Sequence, residues 1–170
     1  MSRGGLLEKT SQVGARGFRP HRLYGAYLRG FPNVGISYHP NRMSTTQSDA
    51  RRFGLAGALS GALAVAAGAF ATHALRGALS ADALANWETA ARYQMYHALA
   101  LMLVAWLAGQ RPGRPILIAG WAFIAGTILF SGSLYLLSLS GLRWLGALAP
   151  FGGAALIGGW LALAWSWLRG

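Results

Sequence analysis

Residues 54–75 read GLAGALSGALAVAAGAFATHAL, an uncharged apolar run broken only by Ser60, Thr72 and His73. A hydrocarbon core of ~30 Å takes about 20 mostly apolar helical residues to cross, and this run has that length unaided. Two later stretches, residues 116–139 and 144–168, are equally long and carry no charge. A fourth, residues 90–109, reaches that length only by including Arg92 and other polar residues at its start. The chain therefore reads as all-α, an integral membrane bundle of four helices solvated by the lipid bilayer.

Composition agrees. The 170 residues are 54% hydrophobic and 11% charged, against about 25% charged in soluble domains. There is no cysteine, which excludes disulfides, thiolate metal sites and cysteine nucleophiles. The formal net charge of +11 does not indicate nucleic-acid binding, because no basic fold motif accompanies it. Seven of the 15 basic residues lie in residues 1–42, where Glu8 is the one acid. Most of the other arginines flank apolar spans, where they set topology and reach toward headgroups.

Residues 1–42 form a basic leader without a sustained apolar period, and residues 43–170 form the four-span domain. The leader has three readings: a disordered tail drawn to anionic lipid, a transit peptide, or sequence upstream of a true start at Met43. Glycines and prolines at Gly14, Gly17, Pro20 and Pro32 count against an amphipathic transit helix. Arg51, Arg52, Arg111, Arg114 and Arg169 are assigned to one side of the membrane. Arg76, Arg92 and Arg143 fall on the other side, with Asp82 and Glu88. That bias predicts that both termini are cytoplasmic.

The first span carries a stripe of small residues at helical spacing, Gly57, Gly61, Ala64 and Gly68. Lipid offers no hydrophobic drive for helix association, so close approach through small residues supplies the packing. This places span one at the centre of the bundle. Residues 80–108 contain no glycine or proline. Ser80 suits an N-cap and Asp82 the first turn, giving one helix of about 28 residues, some 42 Å long. Glu88 and Arg92 are spaced i,i+4 and can pair. Pro150, followed by Gly152 and Gly153, predicts a kink in span four.

Four strings, GAFATHAL (68–75), WETAARYQMYHALAL (87–101), LFSGSLYLL (129–137) and PFGGAALIGGW (150–160), occur in this order. With this spacing the chain resembles the family of small four-helix inner-membrane proteins called domain of unknown function 423. The match runs from about Arg51 to Trp167. Ala71-Thr72-His73 stands where the family pattern has Gly-Ala-His, and a 42-residue leader is unusual for it. The resemblance implies the four-helix architecture and a place in the bacterial inner membrane. It transfers no chemistry, because the family carries no established activity.

Intramembrane ionisable groups are functional candidates because they are costly to bury. Here they are His73 and His97. Asn86, Ala90, Tyr93, His97 and Ala100 share one helical face, while Glu88 lies on the opposite side. A partner for His97 must then come from another span, His73 or Tyr135. The third span adds the hydroxyls of Thr127, Ser131, Ser133 and Ser138. His73, Tyr93, His97, Ser131 and Tyr135 thus form a candidate polar seam. It reads either as hydrogen-bonded packing or as the lining of a site for a small polar ligand or ion. Gly57, Gly61 and Gly68 are the candidate packing positions. No metal or cofactor is expected, since two histidines without carboxylate or thiolate company fall short of usual coordination. Without a nucleophile elbow or an acid partner, catalysis is not expected either. The functional reading is a non-enzymatic membrane component that packs against a membrane-protein partner or itself. The alternative is a small-solute or ion carrier using the seam.

Overall fold

The computed structural model describes residues 40–168, with side chains from residue 47. The readings of residues 1–39 and of Arg169 lie outside it. Four helices follow one another: α1 Pro40–Phe70, α2 Ala81–Gln110, α3 Arg114–Ser140 and α4 Ala149–Leu168. A π-helical turn, Ala71–Leu75, extends α1, and a 3-10 segment, Arg143–Leu148, leads into α4. Residues 43–53, which precede the first apolar run, are helical and continuous with it.

Local chemistry sets the ends. Thr72 Oγ1 donates to the Gly68 carbonyl at 3.2 Å just before α1 unwinds, a back-bond that competes with the helix ladder. Ser80 caps α2 by accepting from the Ala83 N–H at 3.3 Å, and Asp82 sits in the first, electropositive turn. α3 starts after Gly113 with proline in its first turn, where a missing N–H costs nothing. It stops at Gly141, whose φ of 68° is the left-handed conformation that glycine adopts freely. Pro150 does not kink a span as expected. The α-helix begins at Ala149, so the ring occupies its first turn and displaces no hydrogen bond.

Short connections make successive helices antiparallel neighbours. α1 packs on α2, α2 on α3 and α3 on α4, while α1 barely meets α3. Span one is therefore peripheral, not central. Glycine signals close approach, but α1 makes that approach to one neighbour. Leu55, Leu59, Leu63 and Val65 are left exposed. Gln47–Leu75, Arg114–Ser140 and Arg143–Leu168 are each long and apolar enough to cross a membrane. α2 falls short of that by composition and lies between α1 and α3, where its neighbours cover much of it.

The main core joins Phe53, Leu101, Val104, Ile116, Phe123 and Leu156 from all four helices. A smaller cluster of Ala71, Leu75 and Trp87 closes the far end of the α1–α2 pair. The Phe53 and Trp121 rings meet edge to face, and the Arg111 guanidinium lies 3.6 Å over the Trp167 ring. These contacts gather the starts of α1 and α3 and the ends of α2 and α4 at one end of the bundle. Arg51, Arg52, Arg111 and Arg114 belong to that end. Arg76, Arg143 and Asp82 belong to the other, with Glu88 two turns into α2 from it.

Candidate functional site

The polar seam divides in two. On the α4 side of α2, His97 is 5% exposed and uses both ring nitrogens. Nδ1 faces the Tyr93 carbonyl at 2.7 Å, and Nε2 accepts from Trp160 Nε1 at 3.3 Å. This is a neutral imidazole donating from Nδ1, surrounded by the Phe123 and Trp160 rings at 5.4 and 6.3 Å. The partner does come from another span, but it is Trp160, not His73 or Tyr135. Tyr93 is 43% exposed and packs its ring 4.8 Å from Phe130.

On the α1 side, Gln94 is the hub. Its amide donates to the Ser60 carbonyl at 3.0 Å, and its oxygen accepts from the Tyr135 hydroxyl at 2.9 Å. Two turns closer to the far end, Trp87 Nε1 donates to the Ala67 carbonyl at 2.9 Å, and its ring packs 4.5 Å from that of Tyr135. Ser131, 1% exposed, donates to the Ala90 carbonyl at 2.9 Å and so ties α3 to α2. Ser138 bonds back to Leu134 within its own helix, and Ser133 to Phe130.

The structure therefore brings Ser131 and Tyr135 together beside α2, and gives His97 a separate partner in Trp160. His73 joins neither group. It is exposed on the π-helical turn, six residues past Ala67, which is already level with Trp87. Sequence reasoning passed over Gln94 and Trp160. Gln94 could have been found, since an amide in the middle of a membrane helix must be satisfied. Trp160 carried no such signal, because its indole could as well have faced lipid.

A cleft of about 570 Å³ opens between α1 and α3 with α2 as its floor. Leu59, Leu63, Ile124 and Ile128 form its walls, with Gln94, Thr127 and Tyr135 among its lining. On the opposite face of the α1–α2 pair, a shallow crease of about 450 Å³ is lined by Ala64, Gly68, Thr72, Glu88 and Arg92 among others. Glu88 and Arg92 are both exposed there. The structure does not pair them. Among the described residues the ion pair is Arg52 with Asp49, at 3.4 Å. No group of three or more His, Cys, Asp or Glu side chains comes together among those residues.

The three small-residue positions differ. A Cβ at Gly57 would meet the Ala98 carbonyl oxygen at 2.9 Å, so this glycine lets α1 touch α2. At Gly61 the nearest atom is Ala98 Cβ at 3.7 Å, an ordinary contact, and at Gly68 there is nothing within 4 Å. The tightest crossing lies elsewhere, where Gly152 meets the Phe130 backbone and Gly126 meets Leu156.

The family described as protein of unknown function (DUF423) matches residues 67–153. The chain belongs to this family. It is 45% identical to the UPF0382 membrane protein YwdK of Bacillus subtilis over 112 residues, which is 65% of this chain and 91% of that relative. The UPF0382 membrane protein SAB0533 of Staphylococcus aureus is 44% identical over 111 residues, 65% of this chain and 90% of its own. A third, SERP0230 of Staphylococcus epidermidis, is 43% identical over 117 residues, covering 69% and 95%. No solved structure matches the chain. With its apolar helices and these relatives, the protein is an integral membrane protein of that family.

Proposed function

We propose that this protein is a non-enzymatic component of the bacterial inner membrane that works by assembling with a second copy of itself. The observation that carries the reading is the outward face of α2. Within the bundle, His97, Gln94, Ser131 and Tyr135 each have hydrogen-bond partners. Glu88 and Arg92, by contrast, face outward beside a crease of small residues and have no oppositely charged partner among the described residues. Exposed charges of opposite sign beside small residues form a surface complementary to itself.

A two-fold axis along the membrane normal supplies the pairing, because an isologous contact brings each residue to its complement on the other copy. Glu88 and Arg92 differ in depth by about 6 Å at 1.5 Å per residue. Helical side chains lean toward the helix N-terminus, so Arg92 reaches toward the level of the opposing Glu88. Gly68 leaves room for the second helix to approach. The arginines gathered at the Arg51 end support cytoplasmic termini through the positive-inside bias.

The chain has no native cysteine, so Gly68→Cys gives a clean cross-linking probe in native membranes. Efficient disulfide-linked dimer formation by this variant, falling at least about fivefold when Glu88→Gln is added, supports the reading. Equal cross-linking with and without Glu88→Gln, or none in the parent, would show that this face does not hold a second copy. A carrier working through a common polar seam finds less support, since His97 bonds Trp160, Gln94 bonds Ser60 and Tyr135, and His73 is exposed apart from both.

A further inference from the structure

The cleft between α1 and α3 is lined by hydrogen-bond donors that the protein does not use. Thr127 Oγ1 is buried and has no partner among the described residues, although a helical threonine ordinarily bonds back to the preceding turn. The Ser60 hydroxyl likewise makes no hydrogen bond among the described residues, while its carbonyl is taken by Gln94. Gln94 spends one N–H on that carbonyl and retains a second. In hydrocarbon no water satisfies such groups, and each unmet one is costly.

Position and shape narrow the occupant. Thr127 is the central residue of α3, about 20 Å along the helix from either end at 1.5 Å per residue. A phospholipid headgroup cannot reach that depth, and no charged side chain lines the cleft to receive one. The volume of about 570 Å³ falls in the usual range for small-molecule sites, roughly 300–1,000 Å³. Its walls are aliphatic, and the paired rings of Trp87 and Tyr135 close one end. Unused donors deep in an uncharged apolar cleft call for a neutral lipid that presents acceptor oxygens inside the bilayer.

We propose that the α1–α3 cleft binds a quinone-type lipid, its flat head between Ile128 and the α2 floor and its carbonyl oxygens accepting from Thr127 and Gln94. This goes beyond the assembly reading and does not depend on it, since the cleft and the Glu88–Arg92 face lie on opposite sides of the α1–α2 pair.

The test uses the full-length protein in nanodiscs with decylubiquinone as the probe, binding being read by native mass spectrometry across a titration. The expected result is a saturable one-per-chain adduct. Thr127→Val, which keeps shape and removes the hydroxyl, should weaken it about five- to tenfold, the range of one lost hydrogen bond. Ile128→Trp, which fills the cleft, should abolish it, and decylbenzene, which lacks carbonyl oxygens, should bind at least about tenfold more weakly than decylubiquinone. Absence of a saturable adduct overturns the proposal. So does an adduct indifferent to Thr127→Val, or equal binding of the two probes. Should Ile128→Trp fail to fold, Thr127→Val and the probe comparison decide the question alone.

Discussion

At Gly57 the α1 backbone comes close enough to α2 that a Cβ would press on the Ala98 carbonyl and on Leu101. We expect Gly57→Val to destabilise the bundle by about 1–3 kcal/mol, the usual cost of overpacking, measured by SDS-titrated unfolding in bicelles. Gly68→Ala should leave the same curve unchanged, since nothing lies near that position within its own chain. The stripe of small residues was readable from its spacing. Which glycine is tight was not, because periodicity locates a face and only the crossing point of two helices decides where they touch. His97 shows a related limit. Its need for a partner was legible and the identity of Trp160 was not, since the two lie 63 residues apart. His97→Leu removes two hydrogen bonds, to the Tyr93 carbonyl and from Trp160, and its cost should stay under about 2 kcal/mol, given an average near 0.6 for such bonds in membranes.

The elements divide the work unevenly. α3 and α4 cross where Gly152 meets the Phe130 backbone, and backbone cannot move aside as a flexible side chain can. Gly152→Ala should therefore lower thermal stability in detergent clearly, while Gly158→Ala, at a position with open space around it, should not. α2 has the opposite character. Its composition falls short of a membrane span, yet its Gln94, His97 and Trp87 each bond a neighbouring helix. Its length and N-cap were evident in the sequence because Ser80 and the absence of glycine and proline act locally. The central place given to span one was wrong for a tertiary reason: glycine content reports how near a helix comes, not how many helices it meets. The Glu88–Arg92 pair that the spacing allows does not form. Spacing permits an i,i+4 contact worth only a few tenths of a kcal/mol, too little to hold two long side chains together.

For the whole molecule, hydropathy alone conveyed the all-α membrane architecture, whereas the division of the seam between Trp160 and the Gln94 group depended on helix rotations that no single span encodes. Orientation is directly measurable. Because the chain lacks cysteine, single substitutions Gln110→Cys and Ala78→Cys report the two ends of the bundle to a membrane-impermeant maleimide. Labelling of Ala78→Cys in intact cells, with Gln110→Cys labelled only after lysis, is expected if the termini are cytoplasmic; the reverse pattern would invert the topology. The central claim concerns the outward charges of α2, and one mixing experiment addresses it. Glu88→Arg and Arg92→Glu are each introduced into separately tagged copies, expressed alone and together, and scored by co-purification from bilayer nanodiscs. Each variant alone places like charges across the two-fold contact, whereas the mixture places opposite charges at both contacts. We predict little self-association for either variant alone and wild-type levels of mixed dimer when they are combined. Undiminished self-association of each single variant, or no recovery in the mixture, would contradict assembly through this face.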